Sequence, residues 1–294
     1  MMRSGEEVPV AELSATFRLG GLAVAALSDG VGEQQPSDWF PGVAASEWTA
    51  ALGLEEEAAS LPVNFGSFLV RGGGHTTLID TGNGARTRGQ HPGAAGLPDR
   101  LAELGVAPGD VDVVLLTHFH GDHVGWNLED DGGPITFANA RFYLHEADLA
   151  YLDDPTTPIN AGTAYSESRI APLVAAGQLE SFAGEYSPVP GLVMVPTPGH
   201  TPGHCSVLIE SQGERLFVVG DAAPNVAHLE HPEWSPVFDL DPARASDSRR
   251  LLADRAINED ALVTGGHFPI LTVGRLEAEA AGYRWRDAAV ERTD

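Results

Sequence analysis

Thr117-His118-Phe119-His120-Gly121-Asp122-His123 stands directly behind the apolar run Val111-Asp112-Val113-Val114-Leu115-Leu116. Three imidazoles and one carboxylate therefore crowd the end of what reads as a buried β-strand. Neutral imidazole is the commonest metal ligand among side chains, and a carboxylate offsets the charge of a divalent cation. A loop leaving a strand end turns alternate side chains toward one point, so His118 and His120 can share one ion. Asp122 and His123 then point elsewhere, which suggests a second ion beside the first. A polar turn rich in histidine by accident is the competing reading, and the His-x-His-x-Asp-His spacing weighs against it.

Four ligands do not close two metal sites, and three other places supply more. Pro196-Thr197-Pro198-Gly199-His200 follows Leu192-Val193-Met194-Val195, and Gly220-Asp221 follows Leu216-Phe217-Val218-Val219. Gly265-Gly266-His267 follows Ala261-Leu262-Val263-Thr264. Each reads as a strand that ends in glycine and then presents one ligand. Glycine there permits backbone angles that other residues resist and close approach to an ion. Layered α/β folds normally keep their sites at strand ends.

The order His-x-His-x-Asp-His, then His, Asp and His, resembles the metallo-β-lactamase superfamily of hydrolases. Leu78-Ile79-Asp80-Thr81-Gly82 is a second signature of that family, so the resemblance runs from there to about His267. It implies an α/β fold, an αββα sandwich. It implies that His118, His120 and His200 hold one metal, that Asp122, His123 and His267 hold the other, and that Asp221 bridges both. Asp80 would orient a ligand imidazole from outside the metal sphere. Two divalent ions are implied, zinc first, with manganese, cobalt or iron admitted by an oxygen-nitrogen donor set. The implied chemistry is attack by a hydroxide held between metals about 3.5–4 Å apart. Asp122 and Asp221 are the catalytic carboxylates in that reading, and no Gly-x-Ser-x-Gly elbow competes with it.

Charge narrows the partner. Asp and Glu number 42 against 17 basic residues, every one an arginine, for a net charge of −25. Such a chain repels nucleic acid, whose binding depends on neutralising phosphates, and disfavours long-range approach of anions. A neutral, fairly apolar small molecule is the expected substrate. No apolar run approaches the roughly eighteen residues of a membrane span. Met1-Met2-Arg3-Ser4-Gly5-Glu6-Glu7 lacks the apolar core of a signal peptide. The single Cys205 excludes an internal disulfide, so the cytoplasm is the expected location. A single domain over 1–294 is expected, and a homodimer is admitted.

Three departures from the family pattern bear on substrate. Asp221 stands where true metallo-β-lactamases generally carry cysteine or serine. Asp221-Ala222-Ala223-Pro224-Asn225 lacks the tyrosine that acyl-homoserine lactonases typically place a few residues after the bridging Asp. Only about 27 residues follow His267, too few for the helical C-terminal domain usual in the glyoxalase II branch. Phe238-Asp239-Leu240-Asp241, Arg249-Arg250 and Gly266-His267-Phe268-Pro269 are similar to the branch of methyl parathion hydrolase and related lactone or ester hydrolases. The resulting expectation is a hydrolase of a neutral ester, lactone or phosphotriester. A β-lactamase-like amide hydrolase and a mononuclear-iron oxidoreductase of the sulfur dioxygenase type are the alternatives.

Trp39, Phe40, Trp48, Trp126 and Phe268 are candidates for an apolar pocket over the metals, with at least two expected at the cleft. His204, in a Pro-Gly turn, is expected to support a ligand rather than be one. His145 and His228 can line the cleft or serve structure, and His75 and His91 read as surface residues. Cys205 reads as a small buried hydrophobe. Phe17–Ser28 reads as an opening strand or a hairpin around Gly20-Gly21, and strands are expected at Val63–Arg71, His75–Thr81, Val207–Glu210 and Arg215–Val219. Helices are expected at Leu97–Leu104, Glu146–Leu152, Ser166–Ala176 and Pro242–Ala256, the last capped by Asp241.

Overall fold

A computed structural model describes residues 13–55, 57–157, 161–270, 272–280 and 282–293; the Met1–Glu7 segment discussed above lies outside them. The chain opens with β1 (Ser14–Leu19), β2 (Leu22–Gln34), the short helices α1 (Pro36–Trp39) and α2 (Ala45–Ala51), β3 (Leu61–Gly72) and β4 (His75–Ile79). Next come α3 (Leu97–Glu103), β5 (Val113–Leu115), β6 (Arg141–His145), α4 (Glu146–Asp153), α5 (Ala161–Ala175) and β7 (Leu179–Phe182). The rest comprises β8 (Tyr186–Val189), β9 (Leu192–Pro196), β10 (Cys205–Ser211), β11 (Glu214–Val218) and α6 (Val226–Glu230). Last are α7 (Pro242–Asn258), β12 (Leu262–Thr264), β13 (Gly274–Glu279) and β14 (Gly282–Asp287).

The strands form two seven-stranded sheets, each in sequential order, β1 to β7 and β8 to β14. β1 to β4 pair antiparallel in order, with α1 and α2 in the β2–β3 connection, and β4 to β7 run parallel. The second sheet is antiparallel except for the pair β11–β12. Parallel neighbours need a long crossover, and α3 (between β4 and β5) and α7 (between β11 and β12) lie in two of them.

Side-chain alternation along the strands builds the layers. Val113 and Leu115 meet Val207, Ile209 and Val218 between the sheets. Val114 and Leu116 face the other way, onto Leu97, Leu101 and Leu173. In the second sheet, Leu208, Phe217 and Val263 turn outward beneath Leu252, Ala253 and Ala256 of α7. Each such side chain contributes about 1.5–3 kcal/mol by leaving water. The result is the expected αββα sandwich.

Two boundaries differ most from expectation. β2 continues past Ser28 to Gln34 through a register shift between Ser28 and Val31, where Gly30 takes φ 126 as a bulge requires. α5 begins at Ala161 rather than Ser166, because Gly162 conceals the first turn from a propensity reading. α7 starts as expected, with Asp241 Oδ1 accepting the Arg244 N–H at 3.1 Å. Among the described residues, no helix is long and apolar enough to cross a membrane.

Candidate metal centre

Four strand ends deliver seven donors to one place. His118, His120, His200 and Asp221 form one group and Asp122, His123 and His267 another, the ligand atoms of each lying within 4.8 Å of one another. Asp221 faces both groups. Its Oδ2 is 3.2 Å from His200 Nε2 and 3.8 Å from His118 Nε2, and its Oδ1 is 3.2 Å from His267 Nε2 and 3.3 Å from His123 Nε2. Asp122 Oδ2 lies 3.4 Å from His267 Nε2.

The outer nitrogens of four rings are tied back, and that fixes where the inner ones point. His123 Nδ1 donates to Asp80 Oδ2 at 2.8 Å, His200 Nδ1 to Asp239 Oδ1 at 3.1 Å, and His267 Nδ1 to the Asn64 carbonyl at 2.7 Å. His118 Nδ1 meets Thr117 Oγ1 at 3.0 Å, and that hydroxyl donates to Asp80 Oδ2 at 2.8 Å. Asp80 adopts φ 58, a left-handed angle that aspartate tolerates better than most residues. There its Oδ1 also accepts the Thr117 N–H at 2.7 Å. With the outer nitrogen protonated, each inner nitrogen presents a lone pair.

Converging imidazole nitrogens and carboxylate oxygens suit a cation. His118 Nε2, His123 Nε2 and Asp221 Oδ1 are buried without a hydrogen-bond partner, and buried polar groups otherwise find partners. His120 Nδ1 and His200 Nε2 approach to 2.9 Å. Burial, then the neighbouring His200, pushes His120 down to about 3, and burial likewise holds His118 well below its ordinary value. Burial also opposes protonation of His123 and His267, but Asp221 and Asp122 carry both above the usual value. Against the same burial, the imidazoles of His123 and His267 hold the Asp221 and Asp122 carboxyls below the usual range. The carboxylates call for positive charge between them, so the donor set fits two divalent cations.

Close approach explains two of the glycines. A Cβ on Gly199, at φ +133, would lie 2.1 Å from the Ala245 nitrogen of α7, and one on Gly220, at φ +56, would lie 2.7 Å from His204 Nε2. The His200 and Asp221 loops could not seat otherwise.

Three histidines outside the two groups have definite partners. His204 accepts the Asp221 N–H through Nε2. His145 caps α4, its Nδ1 accepting the Ala147 N–H at 3.2 Å. His228 is buried, with Nε2 donating to the Trp39 carbonyl at 3.0 Å, and it does not line the metal pocket. Cys205 is buried.

A pocket of about 300 Å³ opens over the donors, walled by Trp39, Val63, Phe65, Pro224 and Phe238, with Gln34 and Ser166 as polar lining. Of the five candidate aromatics, at least two of which are expected at the cleft, only Trp39 lines it. Phe40 and Trp48 stack on each other and pack with Leu61 and Val63. Trp126 turns away because its Nε1 donates to the buried Asp29 Oδ1 at 2.9 Å. Phe268 packs edge-on to Trp285 under the second sheet. Phe65 and Phe238 take their places. Phe65 belongs to a strand read only as paired and apolar, whereas Phe238 lies in a stretch marked by resemblance, without a signal for its direction. Arg249 and Arg250 do not line the pocket. Arg249 is fully buried, and Arg250 donates to Ser246 Oγ on its own helix.

The sequence profile of the metallo-beta-lactamase superfamily matches residues 67–267, and the chain belongs to that superfamily. An N-acyl homoserine lactonase of Bacillus sp is 29% identical over 170 residues, 57% of this chain and 60% of the relative. The chain therefore matches less than two thirds of that relative's length. Uncharacterized protein YobT of Bacillus subtilis (strain 168) is 30% identical over 214 residues, 67% of this chain and 81% of the relative. Among solved structures, AidC, a dizinc quorum-quenching lactonase in complex with a product, superposes with TM-score 0.84 at 21% identity, over 95% of this chain and 99% of that one. The hydrolase AbOPH superposes with TM-score 0.82 at 23% identity, over 95% and 98%. At these identities the superpositions speak for the fold. The relatives do not single out the methyl parathion hydrolase branch.

Proposed function

We propose that this chain is a dinuclear metal-dependent hydrolase of a neutral, apolar lactone or ester. The observation that carries the reading is Asp221, whose two oxygens face two separate donor groups at the floor of an apolar pocket. The lactonase names among its relatives support the lactone. His118, His120 and His200 would hold one ion, Asp122, His123 and His267 the other, and Asp221 both. When bound, such ions supply Lewis acidity and lower the pKa of water.

The chain's own residues do the rest. Trp39, Phe65 and Phe238 strip water from the apolar part of the substrate. Asp122 lines the pocket with its carboxyl held ionised, in place to accept a hydrogen bond from the attacking water. It takes the proton that the water loses as its oxygen bonds to the acyl carbon, and passes that proton to the leaving oxygen as the acyl C–O bond breaks. No tyrosine lines the pocket among the described residues, so the carbonyl receives no phenol there. That feature favours a phosphotriester as the second reading.

A panel of lactones, aryl esters, phosphotriesters and β-lactams, assayed on protein of known metal content, tests the proposal. Highest kcat/KM on a neutral lactone or ester, abolished by chelation, is expected. Turnover that survives metal removal, or a preference for β-lactams, would sink it.

A further inference from the structure

Arg249 on α7 is among the largest fully buried side chains, and the hydrolytic chemistry above leaves it unused. Its guanidinium reaches four acceptors. Nη1 donates to Asp239 Oδ2 and to the Ala222 carbonyl, both at 3.1 Å. Nε donates to the Pro232 carbonyl at 2.9 Å, and Nη2 to Ser235 Oγ at 2.7 Å. Two of these partners lead to the metal centre. Asp239 turns its other oxygen to His200 Nδ1, and Ala222 directly follows Asp221 in a 3-10 turn. Pro232, Ser235 and Asp239 belong to the loop that carries Phe238 to the pocket. That loop is also paired to the His200 segment, Leu240 N–H to the His200 carbonyl at 3.2 Å and Asp241 N–H to the Gly199 carbonyl at 2.8 Å.

We propose that Arg249 is a positioning residue that locks His200, and the backbone behind Asp221, to the rim of the substrate pocket. The role rests on the metal-dependent reading above for the function of His200. A planar fork satisfies several acceptors in fixed directions, whereas lysine offers one point charge. The consequence is selective. His200 belongs to the first donor group only, while His123 and His267 of the second are backed by Asp80 and by the Asn64 carbonyl. Losing the fork should therefore disturb one ion more than the other.

The test is stepwise Co²⁺ binding to the full chain, read by chelator competition and by the absorption bands of each step. It compares wild type with Arg249→Lys, Asp239→Asn and Asp80→Asn. Arg249→Lys and Asp239→Asn should weaken the same single step about 10–100-fold, the range for lost support of a ligand imidazole, and shift only that step's bands. Asp80→Asn should weaken both steps, because Asp80 backs His123 directly and His118 through Thr117. Asp239→Asn keeps the side chain's shape and decides the matter where Arg249→Lys fails to fold. If both variants weaken both steps equally, or lower Tm with both affinities intact, Arg249 is a fold anchor and the inference falls alone. A wild type that binds no Co²⁺ overturns the hydrolase reading and this inference together.

Discussion

His204 Nε2 accepts the backbone N–H of Asp221 at 2.9 Å, which fixes His204 as the neutral tautomer protonated at Nδ1. That proton is donated to Thr197 Oγ1 at 2.9 Å, Thr197 donates to Ser206 Oγ at 3.1 Å, and Ser206 donates to the Val219 carbonyl at 2.9 Å. The chain of bonds begins and ends beside Gly220, so it holds the turn that aims Asp221. His204 has no lone pair left for an ion.

Replacing Asp221 with Ala should therefore cut kcat/KM at least about a hundredfold, the scale of a lost electrostatic group. His204→Ala should cost about tenfold, since it orphans one buried N–H but leaves every donor in place. Steady-state kinetics on metal-replete protein decides, and equal losses would mean the two roles are misassigned.

Seven converging donors predict two ions per chain, which elemental analysis would count. Stripping them should abolish turnover and lower Tm. Each ion at a hundred times its dissociation constant stabilises the fold by about 2.7 kcal/mol. One tightly held ion, with no activation by added metal, contradicts the dinuclear proposal.

Much of this centre was legible because its donors sit at strand ends in short, distinctive spacings, so His118 to His123, His200, Asp221 and His267 could be gathered without coordinates. The layers were legible for a similar reason, since Val113 to Leu116 alternate between two cores. The pocket wall was not. Whether an aromatic faces a cleft or a core depends on partners distant in sequence, such as Asp29 for Trp126 and Trp285 for Phe268. The bulge in β2 and the support of His200 by Arg249 through Asp239 are likewise tertiary facts that leave no local pattern.

His228 gives a pH prediction away from the donors. Burial, reinforced by Arg249 and opposed by Asp239, lowers its pKa to about 4. The unfolded chain takes up that proton first, so the stability contributed is full above about pH 6.5 and lost as pH falls toward 4. The maximum is about 3 kcal/mol. His228→Phe keeps the stack on Phe40 but loses the bond to Trp39. It should be less stable at pH 7 and show a flatter acid slope, by up to one proton, in denaturant titrations of metal-stripped protein. Parallel slopes would refute the assignment.

Substrate polarity follows from the wall and the surface charge together. Phe238→Ala and Phe65→Ala should raise KM for apolar substrates more than they lower kcat, because they remove binding shared by ground and transition states. Trp48→Ala should instead lower stability by about 3–5 kcal/mol with little effect on KM, since Trp48 packs in the core behind the pocket. Across a matched series, neutral substrates should show higher kcat/KM than anions, given a net charge of −25. Raising salt separates two causes, because long-range repulsion is screened beyond about 10 Å at 0.1 M. An anion preference that persists at high salt would mean a cation acts locally. Arg86 is then the residue to replace, because its Nη2 lies 2.9 Å from where a Cβ on Gly121 would stand, between His120 and Asp122.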